Sequence, residues 1–151
     1  MKITVLGTGI VGQTLAAKLA SLGHDVRLGT RDPAATLARS EPGQFGTPSF
    51  RDWAAAHPQV GVATFADAAA HGEVVVNALS GAGALEALDL AGADRLAGKV
   101  LLDVSNPLDF SQGFPPSLLV ANTDSLGERI QRRFPAARVV KSLNTVSAHL
   151  M

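Results

Sequence analysis

Residues 7–12 read Gly-Thr-Gly-Ile-Val-Gly, three glycines at a spacing that lets bare backbone hold a diphosphate. Gly7 permits a tight turn, Gly9 removes the Cβ that would block a pyrophosphate, and Gly12 lets the following helix pack closely on the preceding strand. Free amides at the helix start then face the phosphates. A second set, Leu28-Gly29-Thr30-Arg31-Asp32-Pro33, falls where a dinucleotide-binding unit usually places a carboxylate for the adenosine ribose, a group that would repel a 2′-phosphate. Here Gly29 opens room, Thr30 offers a hydroxyl, and Arg31 offers a planar cation suited to bidentate contact with phosphate oxygens. The expected ligand is NADP(H) rather than NAD(H). The alternative is a solvated Arg31, with Asp32 accepting from the ribose.

These residues need a frame, and the chain alternates short apolar runs with amphipathic stretches, a βαβ rhythm without repeats. Ile3–Leu6 reads as a strand, Val11–Leu22 as a helix ended by Gly23, and Asp25–Leu28 as a second strand. Pro33 suits the first turn of a helix that Asp32 could cap, residues 40–48 read as a loop, and Phe50–Ala56 as a short helix. Further strands are expected at Val60–Phe65, Glu73–Ala78, Val100–Val104 and Arg138–Ser142, with helices at Ala84–Leu90 and Leu126–Phe134. Near-continuous apolar runs such as VVVNAL and VLLDV imply strands covered on both faces. The fold class is therefore α/β, a doubly wound and mostly parallel sheet of the NAD(P)-binding Rossmann type, in one domain over residues 1–151.

Composition limits what else the chain can be. Thirteen basic residues balance thirteen acidic ones in 151, so no net field draws in nucleic acid or an anionic membrane, and small-molecule partners are expected. The absence of Cys removes disulfides, thiolate nucleophiles and Cys-ligated metal sites. The absence of Tyr removes the Tyr–Lys acid/base pair of short-chain dehydrogenases. No signal-like N-terminus or run of about 20 apolar residues is present, and a cytoplasmic protein is expected.

GTGIVGQTLAAKLASLGHDVRLGTR, then DVSNPL at residues 103–108 and VVKSLNTVSA at 139–148, together resemble the NADPH-dependent coenzyme F420 (deazaflavin) reductases and the cytosolic domain of the STEAP metalloreductases. The resemblance spans nearly the whole chain. It implies an oxidoreductase in which hydride passes between NADP(H) and a second, flavin-like ring such as F420. By position it places Thr8, Gly9, Ile10 and Val11 along the pyrophosphate turn, and Thr30 and Arg31 at the adenosine phosphate. Ala78, Leu79 and Ser80 would border the middle of the cofactor, Ser105, Asn106 and Pro107 the nicotinamide, and Asn144 with Thr145 the second ring. Asn144 stands where the deazaflavin enzymes often carry His. Relatives of this kind continue through further C-terminal elements that cover the second substrate and help to form a homodimer, elements expected to be missing here.

Other candidates carry less. Ser105–Pro107 is also ordinary turn chemistry after a strand. Lys141 and Asn144 invite comparison with the Lys and Asn of β-hydroxyacid dehydrogenases, but three residues apart at a strand end they point to opposite faces, which favours a structural or cofactor-adjacent role. His24, His57, His71 and His149 lack ligand spacing, so no metal is expected. Trp53, Phe50 and Phe65 are expected to form a satellite hydrophobic cluster, with Trp53 beside an adenine as the alternative. No catalytic side chain is singled out, as suits either direct hydride transfer between two bound rings or a nucleotide-binding module with no complete active site.

Overall fold

A computed structural model describes residues 1–43 and 46–151, His149 by its backbone alone. The elements run β1 (Lys2–Leu6), α1 (Ile10–Ser21), β2 (Asp25–Thr30), α2 (Pro33–Leu37), α3 (Phe50–Ala56), β3 (Gly61–Thr64), α4 (Phe65–His71) and β4 (Val74–Asn77). They continue with α5 (Ala84–Ala91), α6 (Ala93–Leu96), β5 (Val100–Asp103), β6 (Leu108–Asp109), β7 (Ser117–Leu118), α7 (Leu126–Arg133) and β8 (Arg138–Lys141), before a 3₁₀ turn at Ala148–Leu150. Of the loop read at residues 40–48, Gln44 and Phe45 lie outside the described residues.

Six parallel strands form one sheet in the order β3-β2-β1-β4-β5-β8. The chain therefore winds outward from β1 in both directions, and the reversal lies between β1 and β4, where doubly wound sheets open a crevice at their carboxyl ends. All six strands match those read from the sequence, shifted by a residue or two at the ends. The two-stranded ribbon of β6 and β7 was not anticipated: only two residue pairs form it, too few to leave a period in the sequence.

Each face of the sheet carries its own core. Ile3, Val5, Val26, Leu28 and Val76 pack under α1 and α3, while Leu6, Val75 and Leu101 pack with Ala68 of α4, Leu88 of α5 and Ile130 of α7. Fully buried side chains such as Leu28 and Leu101 contribute about 2 kcal/mol each by leaving water. This division corrects the expected aromatic cluster. Phe50 and Trp53 touch each other (centroids 5.4 Å apart) and belong to the α1 face, whereas Phe65 opens α4 in the opposite core.

Strand alternation also corrects the reading of Gly29. Val26, Leu28 and Thr30 share one face of β2, so Gly29 points to the other, where a Cβ would stand 2.6 Å from Leu6 Cδ2 and 3.2 Å from Ala68 Cβ. The missing side chain makes room for core packing, not for a phosphate.

Candidate functional site

The turn after β1 is held by close approach of backbone to backbone. Gly7 has φ +116°, which other residues rarely adopt, and a Cβ there would lie 2.5 Å from Ala78 O. A Cβ on Gly12 would collide with Gly7 O, so the start of α1 can sit on the turn only if position 12 is bare. Gly7 N donates to Gly29 O at 3.1 Å and Ala78 N to Leu6 O at 2.9 Å, tying the turn to the ends of β2 and β4. Gly9 caps α1 with no side-chain hydrogen bond and no acid in the first turn. Among the described residues, none beyond its own chain neighbours lies within 4 Å of a Cβ built on it. The first amides of α1 have no intrahelical acceptor.

Around this turn the other sequence-derived positions gather at the carboxyl ends of β2, β4, β5 and β8. Thr30 is 8% exposed and its hydroxyl shares a 2.8 Å hydrogen bond with Thr36, pinning α2 to β2. Arg31 is exposed and pairs with Glu86 in the first turn of α5 at 2.8 Å. Asp32 caps α2, its Oδ1 accepting from Ala35 N at 2.9 Å, so this oxygen is engaged at the helix end. Ala78, Leu79 and Ser80 follow β4, with Leu79 N donating to Asn77 Oδ1 at 3.3 Å. Ser105, Asn106 and Pro107 follow β5. Their turn presses on the previous one, since a Cβ on Gly81 would meet Pro107 Cα at 2.5 Å. Asn106 Nδ2 donates to Asn144 O at 2.8 Å, bringing these two positions together from 38 residues apart.

Beneath the turns lies a buried polar network that the sequence reading did not single out. Asp103 and Asn77 are fully buried and paired in strand register. Asp103 Oδ1 accepts from Asn77 Nδ2 at 2.8 Å and Ser105 Oγ at 2.6 Å. Its Oδ2 accepts from Lys141 Nζ at 3.0 Å, and Lys141 also donates to Ser105 O. Lys141 is therefore structural, holding the turn after β5. The signal available was the single polar residue ending each apolar run, VVVN and VLLD.

A second residue that went unread is Arg39, two positions beyond α2. Its Nη2 donates to Thr8 Oγ1 at 2.8 Å and its guanidinium lies 4.8 Å from the Phe50 ring centroid. Both residues line a cavity of about 480 Å³ beside Thr8, Gly9, Ile10 and Gln13. Trp53, on α3 rather than a loop, is 9% exposed, stacks on His57 at 4.7 Å and borders a smaller cavity of about 200 Å³. Two of the histidines have partners in the protein: His57 Nδ1 lies 2.8 Å from Trp53 O at the end of α3, and His71 Nε2 lies 3.2 Å from Asp25 Oδ1 at the start of β2. Among the described residues, no group of three potential ligands could hold a metal, and no helix is long and apolar enough to cross a membrane.

A glycine-built turn at the switch point of a β3-β2-β1-β4-β5-β8 parallel sheet, with an open helix start and a cavity beside it, defines a dinucleotide-binding Rossmann domain. Comparison with known proteins makes the class specific. The profile of the family described as NADP oxidoreductase, coenzyme F420-dependent, matches residues 2–107, and the chain belongs to this family of NADP-dependent oxidoreductases. It is 30% identical over 148 residues to rat metalloreductase STEAP3, covering 97% of this chain and 25% of that protein. A crystal structure from Arthrobacter sp. FB24, bearing the name of an F420-dependent NADP-reductase, superposes with a TM-score of 0.94 at 61% identity, covering all of this chain and 66% of the other. The chain thus spans two thirds or less of the length of these relatives. A reductive aminase from Aspergillus terreus in complex with NADPH shares the fold alone, at 19% identity and a TM-score of 0.59 over 93% of this chain and 39% of that one.

Proposed function

We propose that this chain is the NADP(H)-binding part of a reductase that exchanges hydride with a flavin-like acceptor such as the deazaflavin F420. The observation that carries this reading is the uncapped start of α1 at Gly9, open to an anion and flanked by the turns after β4 and β5. Gly7, Thr8, Gly9, Ile10, Val11 and Gly12 hold the pyrophosphate. Thr30 and Arg31 frame the adenosine end, Ala78, Leu79 and Ser80 border the middle, Ser105, Asn106 and Pro107 orient the nicotinamide, and Asn144 faces the second ring. Held by these residues, NADPH would supply the hydride for reduction of the acceptor ring, with a solvent proton balancing the two-electron change. The protein's own work is to align two rings and exclude water, consistent with the lack of a candidate side-chain acid.

The family and its F420-named relative support the acceptor class. A second reading, a binding module completed by another chain, is favoured by the far end of the sheet. Val100, Leu102 and Val140 share the face opposite Leu101 and Val139, and Val100 and Val140 are 36% and 46% exposed. A second copy covering this face would make a homodimer and roof the acceptor side, in a soluble, cytoplasmic setting. The test is titration with NADPH followed by oxidation of the bound nucleotide with F420, a flavin or a ferric chelate. Transfer to F420 or the flavin is expected. Tight binding without transfer to any acceptor selects the module reading, and failure of the folded chain to bind NADPH removes both.

A further inference from the structure

Asn77, Ser105 and Lys141, at the carboxyl ends of β4, β5 and β8, all bond to the buried carboxylate of Asp103. Its Oδ1 accepts from Asn77 Nδ2 at 2.8 Å, from Ser105 Oγ at 2.6 Å and from Ser105 N at 3.2 Å, while Oδ2 accepts from Lys141 Nζ at 3.0 Å. Each partner continues into a turn that borders the site. Asn77 Oδ1 accepts from Leu79 N at 3.3 Å, fixing the turn after β4. Ser105 opens the turn after β5, and Lys141 grips that turn again through Ser105 O. One residue further along, Asn106 Nδ2 donates to Asn144 O at 2.8 Å, which brings in the turn after β8.

Stability alone does not account for a charged hub in this place. Apolar residues of similar volume in place of a buried ion pair are often as stable or more so. What they lack is direction, because hydrogen bonds fix both a distance and an angle. Asp103 and Asn77 are fully buried, so they act on a ligand only through the turns they hold.

We propose that Asp103 is a positioning residue for hydride transfer: through Asn77, Ser105 and Lys141 it fixes the turns after β4, β5 and β8 relative to one another, and with them the nicotinamide and the ring that faces it. The inference rests on the NADP(H) reading above and deepens it at the nicotinamide end. Lys141 is the tie between β5 and β8. Its side chain is 35% exposed, so it can be altered without opening the core.

NADPH and adenosine 2′,5′-bisphosphate separate this role from general support of the fold, since the bisphosphate carries no nicotinamide. In Asp103→Asn the amide oxygen still accepts from Asn77 and Ser105, but the new NH₂ has no lone pair for Lys141. Calorimetry on the full chain is expected to show NADPH weakened about fivefold, the worth of one or two hydrogen bonds, with the bisphosphate within about twofold. The emission of the bound reduced nicotinamide, which rises when the ring is held out of water, should fall toward that of free NADPH. Lys141→Met should do the same and also lower the melting temperature, because it leaves the buried carboxylate without a counter-ion. Combining Lys141→Met with Asp103→Asn should restore the melting temperature but not the emission, and Lys141→Arg should keep both. The proposal is overturned if the emission follows the melting temperature across these variants, if both ligands weaken alike, or if neither responds. Wild-type protein that binds NADPH without a change in nicotinamide emission also overturns it. Wild-type protein that is folded yet binds neither ligand defeats the NADP(H) reading itself, a result seen before any variant is made.

Discussion

The helices α1 and α7 begin in opposite ways. The start of α1 has a glycine cap, no side-chain hydrogen bond and no acid in its first turn. The start of α7 is closed by the protein itself: Ser125 Oγ accepts from Glu128 N at 3.2 Å, and Asp124 holds Arg129 and Arg132 at 2.8 Å each. The orphan amides of a helix start must meet something. Where the chain supplies the partner, the end is structural; where it withholds one beside a cavity, the end is open to the anion proposed above. The same contrast separates the two halves of the sheet. The β1–α1–β2 half presents free backbone, whereas the β4–β5–β8 half satisfies its polar groups internally through Asn77, Asp103, Ser105 and Lys141.

Giving α1 its own cap tests the contrast most severely. Gly9 has φ −77° and ψ −177°, an extended conformation open to any residue, and its Cβ position is unobstructed. Gly9→Asp is therefore expected to leave stability unchanged or raise it by a few tenths of a kcal/mol, as a better cap than glycine. The new carboxylate would occupy the phosphate position, and repulsion of several kcal/mol predicts a loss of NADPH affinity of about 100-fold or more. A variant that melts no lower yet still binds NADPH normally would show that the pyrophosphate does not sit on α1.

The opposite signature is expected from Asp103→Ala. Removing this buried carboxylate leaves Asn77 Nδ2 and Ser105 Oγ without their acceptor and Lys141 without its counter-ion. The expected cost is about 2–4 kcal/mol of unfolding free energy, toward the lower end because Lys141 is partly solvated. Affinity for adenosine 2′,5′-bisphosphate should change by no more than roughly twofold, since independent sites are nearly additive. An equal loss at both readouts would mean that the two halves are coupled and the division drawn here is wrong.

What could be read from the sequence follows the same line. Gly7, Gly9 and Gly12 act through local backbone geometry, so their spacing and their place between a strand and a helix were enough to find the turn. The strands were legible because burial on both faces leaves nearly unbroken apolar runs. Asp103 was not legible as a hub, since its partners lie 26 and 38 residues away and meet only through strand order. Arg39 escaped for a related reason: it follows a five-residue helix and reaches back 31 residues to Thr8. Gly29 was misread because its neighbours Leu28 and Thr30 face the other core, a distinction of one residue that only the register resolves.

The smallest expected effect lies at the closed helix start, and pH isolates it. The Arg129 guanidinium, and after it Arg132, lower the Asp124 carboxyl from the ordinary 3.8 to about 2. A carboxylate whose pKa falls on folding stabilises the native state above its unfolded pKa and loses that contribution as acid protonates it in the folded chain. The melting temperature of the wild type should therefore exceed that of Asp124→Asn by a constant small margin above about pH 5, and the margin should shrink between pH 4 and 2, following the usual titration range of a carboxylate. The clamp is exposed, so added salt should narrow the margin at neutral pH as well. A margin indifferent to both acid and salt would mean that Asp124 acts as a neutral hydrogen-bond acceptor, and that α7 is closed by Ser125 alone.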